Sequence, residues 1–543
     1  MKNILYVISF LLICSLAAFL RLYALSSIPD SLTIDELAIG YNSYSILKTG
    51  RDEYGKLFPL TYKSFGDWKL IGYPLVDTIP IAFIGLNEYS VRLPSAVSGI
   101  LQVILVSCIS YYIFGKKKPV AMVAGTIYAI SPWSIYFSRI AYETNLATSL
   151  FLIGILSFIL YIEKKKNIFI LITSVFFSLT LFVYHAYVVF MPIFSLILLL
   201  FYFKKVRWNW VTISALLLFL VCVFTILGAI FTTKSFSKFD SLSVFSSKNV
   251  IYNRSDIFIT DGSREPLILR KIAFNKFIPG IYQAGENYLS SFSPDFLFNK
   301  GGEKLMNNLG YFGLFYLADS ILLLFGFTYF VRVKGKYSLL ILIWLLTAPI
   351  ASAITTDAPS STRMLMLLPV LVIIEAYGVY YIFLLSKQAR YVKYLFFIYI
   401  LIFMWNLIYF MDSYFIHVNY QRSLFLHYGY KQAVVVSNKN PNDKVVMTSP
   451  NNFPYISFLF YNHYDPKKYI NTVKYYPNSG EFTLVKSFGR YSFVDAIDNN
   501  NLKPKTLYIN NNSKFKIPIN LMKSYGYILT PSKQFVFEWY ITK

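Results

Sequence analysis

The chain has 543 residues, of which 56% are hydrophobic and 14% charged, with a mean hydropathy of +0.50. A soluble globular protein carries about 25% charged residues, so this composition excludes a chain made mainly for water. The formal net charge of +24 would suit a nucleic-acid binder, but the Lys and Arg residues stand in short clusters between apolar runs, where they orient a membrane protein, and nucleic acid is excluded as a partner.

A helix needs about 20 apolar residues to cross roughly 30 Å of hydrocarbon. On that measure the sequence predicts eleven spans, near residues 3–25, 92–114, 119–137, 144–162, 168–184, 187–203, 209–231, 310–331, 337–354, 365–386 and 394–411. The first is read as an uncleaved helix, because the run is long, contains Arg21 and lacks a small-x-small cleavage site. A further apolar piece, 74–86, is short and carries Asp77 and two prolines, which predicts a segment lying on the membrane or dipping into it. Cys14, Cys108 and Cys222 all fall inside apolar spans and read as small buried hydrophobes. The four histidines are too scattered for a zinc site.

The basic clusters alternate between gaps. Lys2, Lys116–Lys118, Lys164–Lys166, Lys204 to Arg207, Arg332 to Lys336, and Lys387 to Lys393 define one face, with Glu163 as its accompanying acid. By the positive-inside rule that face is cytoplasmic. The N-terminus is then inside, and residues 26–91, 232–309 and 412–543 lie outside a plasma (inner) membrane. The cytoplasmic loops are short hairpins without a phosphate-binding or dinucleotide fingerprint, so any activated donor has to arrive through the membrane. The expected fold is an all-α polytopic membrane domain over 1–411 followed by a small extracytoplasmic α/β domain over 412–543. In that tail the β-prone runs Lys444–Thr448, Thr506–Ile509, Gly526–Leu529 and Phe535–Tyr540 alternate with Asn, Pro and Gly breakers, and 420–437 reads as helical.

The first outer loop concentrates chemistry. Asp35 and Glu36 are adjacent carboxylates placed directly before the helix-prone run Leu37–Leu47. Arg51-Asp52-Glu53-Tyr54-Gly55 and Phe65-Gly66-Asp67-Trp68-Lys69 follow. The residues alone leave two readings open for the carboxylate pair, a solvated helix cap or a functional acid–base group. Arg92 and Arg139 likewise read as snorkelling side chains at helix ends or as anion ligands.

The order of short motifs resembles bacterial family 39 glycosyltransferases, relatives of protein O-mannosyltransferases and of the aminoarabinose transferase that modifies lipid A. The matching residues are Asp35-Glu36, Asp52 to Gly55, Gly85 through Ser95 with Arg92, Ser131-Pro132-Trp133 with Arg139 and Glu143, Ser291 through Phe298, and Ala348 through Pro369 with Arg363. The resemblance covers roughly residues 1–390. It implies the GT-C fold, a sugar donor on a polyprenyl phosphate and an extracytoplasmic hydroxyl acceptor on a protein, a lipid or an envelope glycan.

Such a reaction needs a carboxylate base, for which Asp35 is the candidate with Glu36 as its support. The departing phosphate needs positive charge, which Arg92, Arg139, Arg363 and Lys69 would supply at the outer boundary. Direct displacement, as in this family, inverts the anomeric centre, and a mannose-like sugar fits the resemblance. Asp67 and Glu143 are candidates for a divalent metal or acceptor contact. Asp67-Trp68-Lys69-Leu70 lacks the proline of the carboxylate-Lys-Pro sequence of aminoarabinose transferases, which puts a metal role for Asp67 in doubt. The alternative from another class is a transporter or flippase of lipid-linked sugars; its expected repeat symmetry and mid-span charges are weakly represented, by Asp319 and Glu375 alone.

Overall fold

The computed structural model describes the chain except for residues 1, 233–241, 248–249, 251–276, 303–305, 307, 309–311, 334, 442, 478–482, 499 and 512–520. Most of the predicted outer piece 232–309, the start of the predicted span 310–331 and the basic residue Lys334 therefore lie outside the described residues. The chain divides into two compact units. One comprises Met1–Tyr23, Ser95–Ser138 and Tyr142–Met411, the other Ala24–Pro94, Arg139–Ala141 and Asp412–Lys543.

The first unit is helical. Its leading helices are α1 (Lys2–Leu22), most of α4 (Glu88–Ile113), α5 (Lys118–Ile130), α6 (Pro132–Ser138), α7 (Glu143–Lys164), α8 (Asn167–Thr180), α9 (His185–Tyr202) and α10 (Trp210–Thr232). Asp319–Arg332, Ser338–Thr347, Leu367–Gln388 and Arg390–Asp412 follow. Among the described residues seven helices are long and apolar enough to cross a membrane, or eight with the bent pair α5–α6 counted as one span. This makes the chain a multi-pass membrane protein; among the described residues, fewer helices than the eleven expected reach full span. The difference has local causes. The run 168–184 turns at Leu181–Val183, the run 337–354 is interrupted at Pro349, and among the described residues of 310–331 the helix starts at Asp319. The predicted dipping segment is a 13-residue helix, α3 (Gly72–Ile84).

Without water, polar groups in a helix bundle have to find partners inside it. Arg21 shows how. The chain bends by 57° between α5 and α6, where Pro132 cannot supply an N–H. The buried Arg21 guanidinium donates to the carbonyls of Ala129 (3.1 Å) and Tyr128 (3.4 Å), at the open end of α5, and to Ser134 Oγ (2.7 Å). Positive charge at a helix C-terminus also meets its dipole. Deeper in, Gln102 Nε2 donates to Asn145 Oδ1 (2.9 Å) and Ser149 Oγ (3.0 Å), and Tyr128 Oη donates to Gln102 Oε1 (2.6 Å). Helices Asp319–Arg332 and Leu367–Gln388 approach backbone to backbone. A Cβ on Gly326 would stand 2.0 Å from the Ile374 carbonyl oxygen, and one on Gly378 2.1 Å from that of Leu322. Glycine permits this close packing in place of the hydrophobic drive that lipid does not provide.

The second unit contains α2 (Ile34–Thr49), the hairpin β1 (Thr61–Ser64)–β2 (Asp67–Leu70), α3 and a seven-stranded sheet. Phe65 and Gly66 both have positive φ, which a two-residue hairpin turn with the twist of its strands requires. The sheet is formed by β3 (Lys444–Thr448), β4 (Lys474–Tyr475), β5 (Val485–Phe488), β6 (Tyr491–Val494), β7 (Thr506–Asn510), β8 (Met522–Leu529) and β9 (Phe535–Thr542), in the order β4-β5-β6-β3-β7-β9-β8. The central strand β3 runs parallel to β6 and β7, and the other pairings are antiparallel. Val445, Met447, Leu507 and Ile509 are buried on one face of the central strands, and Tyr508 and Tyr540 are buried on the other, so the middle of the sheet is covered on both faces. The four β-prone runs of the sequence all fall on strands, and of the helical run 420–437, residues 420–421 and 430–437 lie in the helices Val418–Gln421 and Tyr430–Asn438.

Candidate active site

The site begins with the way α2 starts. Thr33 caps the helix: its Oγ1 accepts from Glu36 N–H (3.2 Å), and Glu36 Oε2 accepts from Thr33 N–H (2.9 Å). This reciprocal capping box puts both carboxylates in the first turn, one helical step apart, and so turns them to different sides. Glu36 points inward and is 1% exposed. Asp35 points outward, its side chain 57% exposed.

Glu36 is saturated with donors. Beyond the cap, its Oε1 accepts from Arg92 Nε (2.9 Å) and from Ala141 N–H (3.1 Å). Arg92, fully buried near the start of α4, extends its remaining nitrogens to the carbonyls of Leu25 (3.0 Å), Pro29 (2.7 Å) and Ser31 (2.6 Å). The arginine thus ties the stretch leading into α2 to α4. Arg139 does similar work, donating to the carbonyls of Ile28 (2.9 Å) and Ala24 (3.3 Å) beneath the rings of Phe415 and Tyr414, 4.9 and 5.6 Å from its guanidinium carbon. Both guanidiniums are buried and engaged with protein carbonyls, an arrangement unlike a side chain reaching freely for an anion.

Asp35 has a different companion. Lys69, on β2 and 8% exposed, forms an ion pair with Asp35 Oδ1, and its ammonium lies 5.6 Å from the Phe65 ring. A buried cation and a largely open carboxylate therefore share one edge of the loop. Asp67 opens the same strand, opposite Ser64. Arg363 and Glu143 belong to the helical unit. Arg363 pairs there with Asp357 and donates to Thr355 Oγ1 (3.1 Å), and Glu143 stands in the first turn of α7. Among the described residues no three His, Cys, Asp or Glu side chains gather to hold a metal.

Two further groups were not singled out from the sequence. Glu53, 1% exposed, accepts from Tyr455 Oη (3.0 Å) and Asn42 Nδ2 (3.3 Å), while its N–H donates to Asn42 Oδ1 (2.9 Å). Burial pushes its carboxyl up to about 8, against the opposing pull of Lys69. His427 lies partly buried in a left-handed turn, φ 59°. Burial holds its imidazole below the usual value, while the Asp35 carboxylate acts the other way. Glu53 had a sequence signal in its acidic motif; His427 had none, since its environment is assembled from distant parts of the chain.

Glu53 makes stability fall with pH. An unfolded glutamate releases its proton near 4.5, whereas the folded carboxyl keeps it to about 8. Between those values the folded state binds more protons, so raising the pH favours unfolding, and the contribution present below about 4.5 is lost by about 8. Thermal unfolding in detergent from pH 5 to 9 should show this decline, and Glu53→Gln should flatten it. An unchanged slope in the variant would remove Glu53 from the account.

No protein-family model matches the chain, and no curated protein matches it significantly. Among solved structures it is similar to the oligosaccharyltransferase AglB of Archaeoglobus fulgidus, solved in complex with an inhibitory peptide and a dolichol-phosphate; the two are 12% identical over 85% of this chain and 64% of that one, with a TM-score of 0.51. It is also similar to ArnT from Cupriavidus metallidurans bound to undecaprenyl phosphate, 10% identical over 99% of this chain and 97% of that one, again with a TM-score of 0.51. The chain thus spans 64% of the length of AglB. Likeness at this level shows the fold alone: this chain shares the fold of these two structures.

Proposed function

We propose that this chain is an inverting glycosyltransferase that moves a sugar from a polyprenyl-phosphate donor to an extracytoplasmic hydroxyl. The observation that carries this reading is the open carboxylate of Asp35 paired with the buried ammonium of Lys69. Asp35 takes the acceptor proton as the acceptor oxygen attacks the anomeric carbon, and the sugar–phosphate bond breaks. Lys69 meets the negative charge that builds on the departing phosphate oxygens. Glu36, Arg92 and Arg139 act as positioning residues, because each is buried and bonded to the segment that presents Asp35. AglB and ArnT, solved with dolichol-phosphate and undecaprenyl phosphate, support a lipid phosphate as the donor's carrier. The donor sugar is mannose-like and the acceptor a protein, a lipid or a cell-wall glycan. The active site and C-terminus lie outside the plasma membrane, with the N-terminus inside.

The test is turnover. Purified protein in detergent, given membrane extract and radiolabelled polyprenyl-phosphate sugars including mannose, should transfer label only when both donor and acceptor are present. If the protein consumes none of several lipid-linked donors yet moves them across vesicle membranes, it is a flippase and the reading fails.

A further inference from the structure

Two carboxylates lie inside the helical unit and take no part in the transfer chemistry. Asp319 opens the helix Asp319–Arg332, and Glu375 stands within Leu367–Gln388. They are 2% and 0% exposed. The two helices meet backbone to backbone at Gly378, against the Leu322 carbonyl, and at Gly326, against that of Ile374. They run in the same direction, since beyond the Gly326–Ile374 contact Arg332 donates to Tyr381 Oη. Leu322 is the third residue after Asp319, and Gly378 the third after Glu375. Residues three apart share a helix face, so both acids stand one turn before the contact, on the faces that meet. Helical side chains tilt toward the N-terminus, which carries the longer Glu375 back toward Asp319.

A third group comes from the helix Arg390–Asp412. Tyr399 lines a cavity of about 430 Å³ with Leu322 and Val379, which stand at that contact. Its ring is 6.1 Å from Phe403, which is 5.3 Å from Tyr316. Tyr316 N–H in turn donates to Asp319 Oδ2 (2.9 Å). The charges that act on Tyr399 are those of Asp319 and Glu375. Among the described residues, Asp319 Oδ1, both Glu375 oxygens and Tyr399 Oη are buried without a hydrogen-bond partner. Nearby donors are committed elsewhere, Tyr316 Oη to the Ile130 carbonyl (2.7 Å) and Asn406 Nδ2 to that of Ile402 (3.2 Å). No described Lys, Arg or His acts on either acid.

We propose that Asp319, Glu375 and Tyr399 bind one divalent cation of the calcium type. A buried charge has to be paired or to coordinate a metal. Two carboxylates carry two negative charges, which one divalent ion neutralises; a monovalent ion would leave a buried charge uncompensated. The available ligands are all oxygens, the donors that hard cations take. Calcium accepts carboxylates singly or through both oxygens in irregular geometry, whereas magnesium demands a near-ideal octahedron. Four oxygens from three helices suit the first, with water completing the shell. The helix Arg390–Asp412 buries only Phe410 among its described residues, so the ion staples an outlying helix to the core. The site needs neither a donor nor Asp35, and it stands apart from the transfer reading.

Full-length protein in detergent would be stripped with EDTA and titrated with radioactive calcium chloride at constant pH and sodium chloride. The wild type should bind one ion per chain, and its unfolding temperature should rise with calcium, as for any ligand held only by the folded state. Glu375→Gln and Asp319→Asn should each weaken binding at least about tenfold, the lower bound for disturbing even the outer partners of a metal. Asp35→Asn should bind calcium as the wild type does. Without calcium, Glu375→Gln should be no less stable than stripped wild type, because it strands no charge, and this separates lost binding from misfolding. A wild type that binds no calcium, or a Glu375→Gln variant that binds it equally, overturns the proposal. So does loss of binding in Asp35→Asn, or a stability that follows pH but not calcium, which would mean that the acids hold protons instead.

Discussion

Asp35→Asn is expected to reduce turnover by about a hundred- to ten-thousandfold, the contribution of a positioned base, with little change in stability. The two halves of that expectation rest on the first turn of α2. Asparagine keeps the size of the side chain and can still hydrogen-bond, but it cannot take the acceptor proton. The fold should lose little, because Asp35 is more than half exposed, the cap of α2 is made by Thr33 and Glu36, and the asparagine carbonyl can still accept from the Lys69 ammonium. Single-turnover rates with saturating lipid-linked donor, set beside an unfolding curve, separate the two effects. A variant that turns over like the wild type would sink the assignment of the base.

Arg92→Met should have the opposite profile, with a loss of about 3–5 kcal/mol of stability, the usual consequence of removing one partner of a buried ion pair. The guanidinium neutralises Glu36 and satisfies the carbonyls of Leu25, Pro29 and Ser31 at once. Without it, a carboxylate that is 1% exposed stays buried beside three carbonyls that lose their donor. Against a total stability of about 5–15 kcal/mol, the yield of monodisperse protein should collapse and the unfolding temperature should drop sharply. Adding Glu36→Gln should restore part of the loss, because the amide removes the stranded charge. An unfolding temperature equal to wild type would contradict the positioning role and return Arg92 to the list of free phosphate ligands.

These two variants separate neighbours that look equivalent in the sequence. Asp35 and Glu36 are adjacent acids in one motif, and nothing in their order says which will face outward. The difference comes from the helical step between them and from Arg92 and Ala141, which meet only Glu36. Arg92 and Lys69 both qualified as phosphate ligands by charge and place in the chain. Burial then committed Arg92 to carbonyls and left Lys69 with Asp35. The acidic motif containing Glu53 was visible, but its partner Tyr455 lies 402 residues away, and no local pattern announces a contact at that separation.

The sequence by itself determined that the chain crosses a membrane and where four strands of the tail run; it started the helix at Leu37 after a carboxylate cap, whereas α2 starts at Ile34 under a Thr33 cap. The features it determined follow from local rules: hydrocarbon demands long apolar helices, and strands alternate with a period of two. Only the tertiary structure decided which apolar runs reach full span, which carboxylate stays open and which cations are consumed internally. Those outcomes depend on burial and on partners from distant segments, and desolvation reverses the meaning of a charge that reads the same in the linear chain.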